Sequence, residues 1–180
     1  MIPDFLSHYY EAKNGPFRNL SDLSLQEAEQ IQINLRQAGQ TFASKRTNNY
    51  LGIRRKLEEQ VRQLFIQKGG KPVRPFPHYM VLGSCAWLKN WYQDGRALQI
   101  PLSNFDPAII SFTYGDTFPA MRYEDKKPYR KQVFTLDELP TLIQTYGLPQ
   151  VWNKNGDQGP DRYIEAQIWS NKPLQNFLSI

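Results

Sequence analysis

Hydrophobic positions recur at helical spacing twice in the first seventy residues. Leu25, Ala28, Ile31 and Leu35 share one face of a helix over 25–38, opened by a Ser24/Glu27 capping box and closed by Gly39. A longer stripe, Tyr50, Ile53, Leu57, Val61, Leu64 and Phe65, predicts a second helix over 49–67 that Gly69-Gly70 stops. Pro72, Pro75 and Pro77 then impose an extended connector, since each also restricts the residue before it. From His78 the period shortens. The pattern predicts a strand over 78–82, a short helix over 84–92 holding Trp87, Leu88 and Trp91, and a half-buried strand over 96–102. After the Asp106-Pro107 turn, 109–114 is the strongest strand pattern, ended by Gly115-Asp116. The polar stretch 121–130 predicts an exposed loop, 132–134 a short strand, and 137–146 a helix with Pro140 in its first turn. The last strand, over 162–169, places Ile164, Ala166 and Ile168 on one face and Tyr163, Glu165, Gln167 and Trp169 on the other. The tail beyond it reads as irregular. The expected class is α+β: a single compact domain over 1–180, with a helical part over about 1–70 and a sheet-rich part over about 76–170. A central mixed or antiparallel sheet would carry an N-terminal helical pair and one later helix.

Composition supports a packed core and narrows the setting. Of 180 residues, 40% are hydrophobic and 13% aromatic, far from the aromatic-poor, highly charged make-up of a disordered chain. The single cysteine, Cys85, excludes an internal disulfide. With no charged and apolar leader in MIPDFLSHYYEAK, the expectation is a reducing, cytoplasmic protein of no membrane association.

Charge changes the picture locally. The net charge is +5, and residues 41–74 hold nine of the basic residues (Lys45, Arg46, Arg54, Arg55, Lys56, Arg62, Lys68, Lys71, Arg74) against Glu58 and Glu59. Such a stretch is the footprint of a phosphate-rich partner, and Arg54, Arg55 and Arg62 are the candidate nucleic-acid contacts. A solvated helix face is the plainer reading of the same pattern.

The chain carries no high-specificity motif. Two histidines, His8 and His78, and one cysteine give no zinc spacing, so no metal is expected. There is no Walker loop, no G-x-G-x-x-G and no G-x-S-x-G. Cys85, inside SCAWL, reads as a small buried residue. In RYIEAQIW, Glu165 flanked by aromatics and an amide is either a pocket wall or part of a solvated sheet face.

Taken in order, LSHYY with His8, ASKR with Arg46, PHYMVLG, ISFTYGDT and RYIEAQIW with Glu165 resemble the DNA-targeting ADP-ribosyltransferases of bacterial toxin–antitoxin systems. The overall text otherwise resembles that of a bacterial sequence family. The likeness is one of order over most of the chain, and it departs from the family after His8, where Tyr9-Tyr10-Glu11 replace a small residue and a threonine. The resemblance implies NAD as the bound dinucleotide, His8 in an early strand holding ribose hydroxyls, and Tyr114 stacking on nicotinamide. It further implies Arg46 or Arg54 at the pyrophosphate and Glu165 as the catalytic carboxylate beside the ribose. Two other readings stand beside it: a non-catalytic nucleic-acid-binding module using 45–74, and a protein-interaction domain presenting Trp87, Trp91 or Trp152.

Overall fold

The computed structural model describes residues 2–39 and 42–178. Five strands form one antiparallel sheet: β1 (Phe5–Glu11), β2 (His78–Leu82), β3 (Gly95–Pro101), β4 (Ile110–Tyr114) and β5 (Ile164–Ile168), in the order β3-β1-β2-β5-β4. The helices are α1 (Leu25–Ala38), α2 (Tyr50–Gln67), α3 (Ala86–Lys89), α4 (Thr117–Arg122), α5 (Leu139–Tyr146), α6 (Pro149–Trp152) and α7 (Gln175–Leu178). The α+β class holds, with every strand pair antiparallel.

Several local expectations change: where one later helix and an irregular tail were expected, α4 and α6 join α5, and α7 forms in the tail. The first strand lies inside the stretch read as helical, and it sits between β2 and β3. Residues 132–134 add only a single bridge, Phe112 to Phe134, beside β4. The polar stretch after Tyr123 is not a free loop: Tyr129 and Arg130 are buried, tied to Asp161.

Period-two alternation puts the main core on one sheet face. Leu6, Met80, Leu82, Ile100, Ile110, Phe112, Ile164, Ala166 and Ile168 pack there against Leu139 and Leu142 of α5 and against Leu174. The opposite face is also buried, and it is largely polar. It carries Ser7, Tyr9, Tyr79, Ser111, Thr113, Glu165 and Gln167, with register pairs Ser7–Val81, Val81–Glu165 and Thr113–Glu165. Over its β5 side α2 lays Leu57, Val61 and Phe65, which meet Met121, Val133 and Trp169. On its β1 side Leu88 of α3 packs with Tyr9, Val81 and Tyr163. A buried polar face is stable only if its hydrogen bonds are closed internally or turned towards a ligand. Both occur here.

Candidate functional site

A partly open cleft of about 1210 Å³ lies between the polar sheet face and the helical layer and extends to His8, Phe17, His78 and Met80. Ser7, Tyr9, Tyr79, Val81, Tyr163 and Glu165 form its sheet side, and Ile31, Leu35 and Ala38 of α1 with Tyr50, Arg54 and Leu57 of α2 form its helical side. Arg46, Trp91, Tyr92 and the start of α4 (Asp116, Thr117, Phe118) complete the wall. Aromatic rings and many charged or polar side chains line it together.

Glu165 is the chemical centre. Its residue is only 7% exposed. Its Oε2 accepts from the Thr117 backbone N–H at 2.9 Å and from the Thr117 hydroxyl. Among the described residues Glu165 forms hydrogen bonds through Oε2, and the residue lines the cavity. Burial first, and then the negative charge of Asp116, push the Glu165 carboxyl up to about 8, against the pull of the Thr117 hydrogen bonds and of Arg54. Asp116 caps α4: its Oδ1 accepts from the Phe118 N–H at 2.8 Å and its Oδ2 from the Tyr163 hydroxyl at 3.1 Å.

Arg46 also faces the cavity. Its guanidinium lies 4.4 Å over the Tyr50 ring, which in turn stacks on Phe118 at 4.9 Å, 6° from parallel. Burial pulls the Arg46 pKa down from its ordinary value. Among the described residues no carboxylate forms an ion pair with it. That leaves its charge available to an anionic ligand.

The remaining sequence candidates are placed differently. His8 touches the cavity, yet both ring nitrogens serve the backbone. Nδ1 lies 2.9 Å from the Tyr79 carbonyl and so donates, while Nε2 accepts from the Phe17 N–H at 2.9 Å. The ring stacks on Phe17 at 4.0 Å. Burial lowers the His8 pKa to about 4, in keeping with a neutral ring. The folded state thus holds His8 neutral where the unfolded chain would protonate it. The contribution of His8 to stability is expected to be complete above pH 6.5 and to fall as pH drops towards 4. Denaturant titrations of wild type and His8→Gln should show the difference between the two proteins changing across that range and constant above it.

Tyr114 points to the other sheet face. Its hydroxyl meets the Tyr146 and Gly147 carbonyls at 2.7 and 3.0 Å and accepts from Trp152 Nε1. The strand alternation separates it from Glu165, so the two cannot meet one ligand.

The three arginines read as a phosphate-facing row turn inward onto the chain itself. Arg54 donates to Ser21 Oγ, Glu58 Oε1, Tyr50 Oη and Asn19 Oδ1, all within 3.0 Å. Arg55 reaches the Leu23 carbonyl at 2.6 Å, and Arg62 the Pro72 and Arg74 carbonyls. Arg54 and Arg55 anchor the segment 19–23 that precedes α1, and Arg62 anchors the connector that follows α2. Trp87, Trp91 and Trp152 are half-buried, and the first two are packed edge to face.

Sequence reasoning missed Asp116 and Thr117. The signal was present: an Asp cap directly after a strand, followed by Thr-Phe-Pro, with the proline at a position whose N–H has no helical partner. Among the described residues no three histidine, cysteine or carboxylate side chains group as a metal site, and no helix is long and apolar enough to cross a membrane. The chain matches no protein-family model, no curated protein and no solved structure.

Proposed function

We propose that the chain is an enzyme acting on NAD or a closely similar dinucleotide, with Glu165 Oε1 meeting the ribose–nicotinamide bond and Arg46 the pyrophosphate. The observation that carries this reading is the half-committed carboxyl: both hydrogen bonds seen for Glu165 fall on Oε2, from Thr117, while the residue lines a cleft of about 1210 Å³. Tyr50, Phe118, Trp91 and Tyr92 supply aromatic surface in the same cavity. His8 and Tyr114 take no part in this version of the site. The ribose contact falls instead to groups on the polar sheet face.

The chemistry follows from the charge. When the C–N bond between ribose and nicotinamide breaks, its electron pair neutralises the cationic ring nitrogen, and positive charge develops on the ribose. A carboxylate at that point stabilises the charge, as one does in glycoside cleavage. An acceptor nucleophile then forms the new bond to the ribose and gives up its proton. With its carboxyl pushed up to about 8 by burial and Asp116, Glu165 holds its proton at neutral pH. The charged and titratable groups facing it are Asp116 from the cap of α4, Arg54 from α2, Tyr79 from β2 and Tyr163 from the turn into its own strand. A cationic ring brought against Oε1 favours the ionised form, so binding releases this proton to solvent.

The test is direct. NAD affinity is expected to strengthen as pH rises from 6 to 8, by up to about tenfold per unit, because Glu165 must lose a proton. NADH, whose nicotinamide ring is uncharged, should show no such slope. Nicotinamide release should be measurable with the wild type and abolished in Glu165→Gln, which still binds. Failure to bind NAD at either pH, or release retained by Glu165→Gln, would overturn the assignment.

A further inference from the structure

The hydrogen bonds behind Glu165 run in one direction, and that direction is fixed at its far end. The Trp169 indole N–H can only donate, and it donates to Ser111 Oγ at 2.9 Å. Ser111 must therefore direct its own hydrogen elsewhere, and it does so to Gln167 Oε1 at 2.9 Å. This sets the orientation of the Gln167 amide. Its Nε2 then donates to Thr113 Oγ1 at 3.0 Å and to Thr117 Oγ1 at 3.3 Å. Thr113 sends its hydrogen to the Gly115 carbonyl, and the Thr117 hydrogen is left for Glu165 Oε2. Ser111, Thr113, Gln167 and Trp169 are fully buried and Thr117 is 4% exposed, so water does not compete along the chain. Oε2 accordingly receives two donors, the hydroxyl and the backbone N–H of Thr117.

We infer that Trp169, Ser111, Gln167 and Thr117 form a positioning relay that keeps the proton of Glu165 on Oε1, the oxygen that Thr117 does not bond, and so fixes which oxygen carries the exchangeable proton. The inference rests on the reading of Glu165 as the ligand-facing acid, and it concerns a property of the ligand-free protein. A carboxyl without this relay could carry its proton on either oxygen. With it, Oε2 is an acceptor in both protonation states. Only the group at Oε1 changes, from O–H donor to anionic acceptor, when a cation arrives. The relay also eases the loss of the proton, because hydrogen bonds donated to Oε2 favour the ionised form. Asp116 and burial act in the opposite sense, and Arg54 in the same sense as the relay.

The experiment is a ligand-free titration of the Glu165 carboxyl carbon by NMR in glutamate-labelled protein, the resonance assigned by its disappearance in Glu165→Gln. Thr117→Val keeps the shape and removes the hydroxyl, so the midpoint should rise by about one pH unit. Thr117→Ser restores the hydroxyl and should return the midpoint to its wild-type value, which a merely space-filling role for Thr117 would not require. Ser111→Ala, two bonds further out, frees the Gln167 amide to turn and should move the midpoint upward by less. A Thr117→Val midpoint equal to that of the wild type would overturn the relay. Should Thr117→Val not fold, Ser111→Ala decides, and an unmoved or lowered midpoint overturns it. Because no dinucleotide is present, the two ideas fail separately: shifted midpoints without NAD binding retain the relay and remove the NAD assignment, and the reverse pattern does the opposite.

Discussion

Glu165→Gln is expected to be more stable than the wild type above pH 8, by about 2–4 kcal/mol, and to have lost all turnover. The sign follows from linkage. The folded protein keeps a proton on Glu165 up to about pH 8, whereas the unfolded chain releases it near its ordinary value of 4.5. The stability contributed by this site is fully present below pH 4.5 and is lost as pH rises through about 8. Glutamine never ionises, so its stability does not follow that slope. It also fits the geometry: its carbonyl oxygen can accept both Thr117 donors while its amide N–H₂ takes the place of the protonated oxygen. Melting temperatures of the two proteins should coincide near pH 4.5 and diverge by roughly 5–10 °C at pH 9. A wild type that is equally stable at both pH values would show that Glu165 is not held protonated.

The second large effect is expected away from the cavity. Asp161 is fully buried and accepts from Arg130 Nη1 at 2.6 Å and Nη2 at 3.0 Å, from the Tyr129 hydroxyl at 2.9 Å and from Lys127 Nζ at 3.0 Å. Asp161→Ala strands these donors, and the Arg130 guanidinium, whose side chain is 4% exposed, keeps only the partly exposed Asp125 as a partner. Removing one side of such a buried ionic network costs about 3–5 kcal/mol. Thermal unfolding should fall by roughly 10 °C. Lys127→Met is the control. Its ammonium is about one-third exposed, so the loss should stay below about 1 kcal/mol. Equal losses for the two variants would contradict this assignment of the network.

Where local pattern and tertiary burial agree, the fold is legible in the sequence. Helix α1 runs over the residues its capping box and Gly39 demarcate, and Gly39 adopts φ 65° at the cap. The apolar face of β5 is equally plain, because Ile164, Ala166 and Ile168 alternate with polar neighbours. Strand β1 is hidden for the converse reason. LSHYYE has polar tips on both faces, and its burial depends on packing partners distant in sequence. Helix α4 is concealed by Pro119, which reads as a breaker although the first helical turn tolerates it.

The site was half legible. Glu165 stands out as a carboxylate within a strand, but whether its face meets solvent or a cavity depends on α2 crossing above it. Its partners Asp116 and Thr117 come from a strand end nearly fifty residues earlier, brought to it by the β4–β5 register. The inward turn of Arg54, Arg55 and Arg62 was invisible for a related reason. Lying off the apolar stripe marks a polar position, yet a long guanidinium side chain reaches acceptors in the flanking connectors as readily as solvent.

The most direct test of the proposed function is calorimetric titration of NAD at pH 7 in two buffers with different ionisation enthalpies. The difference between the observed heats counts the protons exchanged on binding. The account predicts release of about one proton per NAD bound by the wild type, since the Glu165 carboxyl, pushed up to about 8, holds its proton at pH 7, and none by Glu165→Gln. Binding without proton release, or the same release from both proteins, would contradict it.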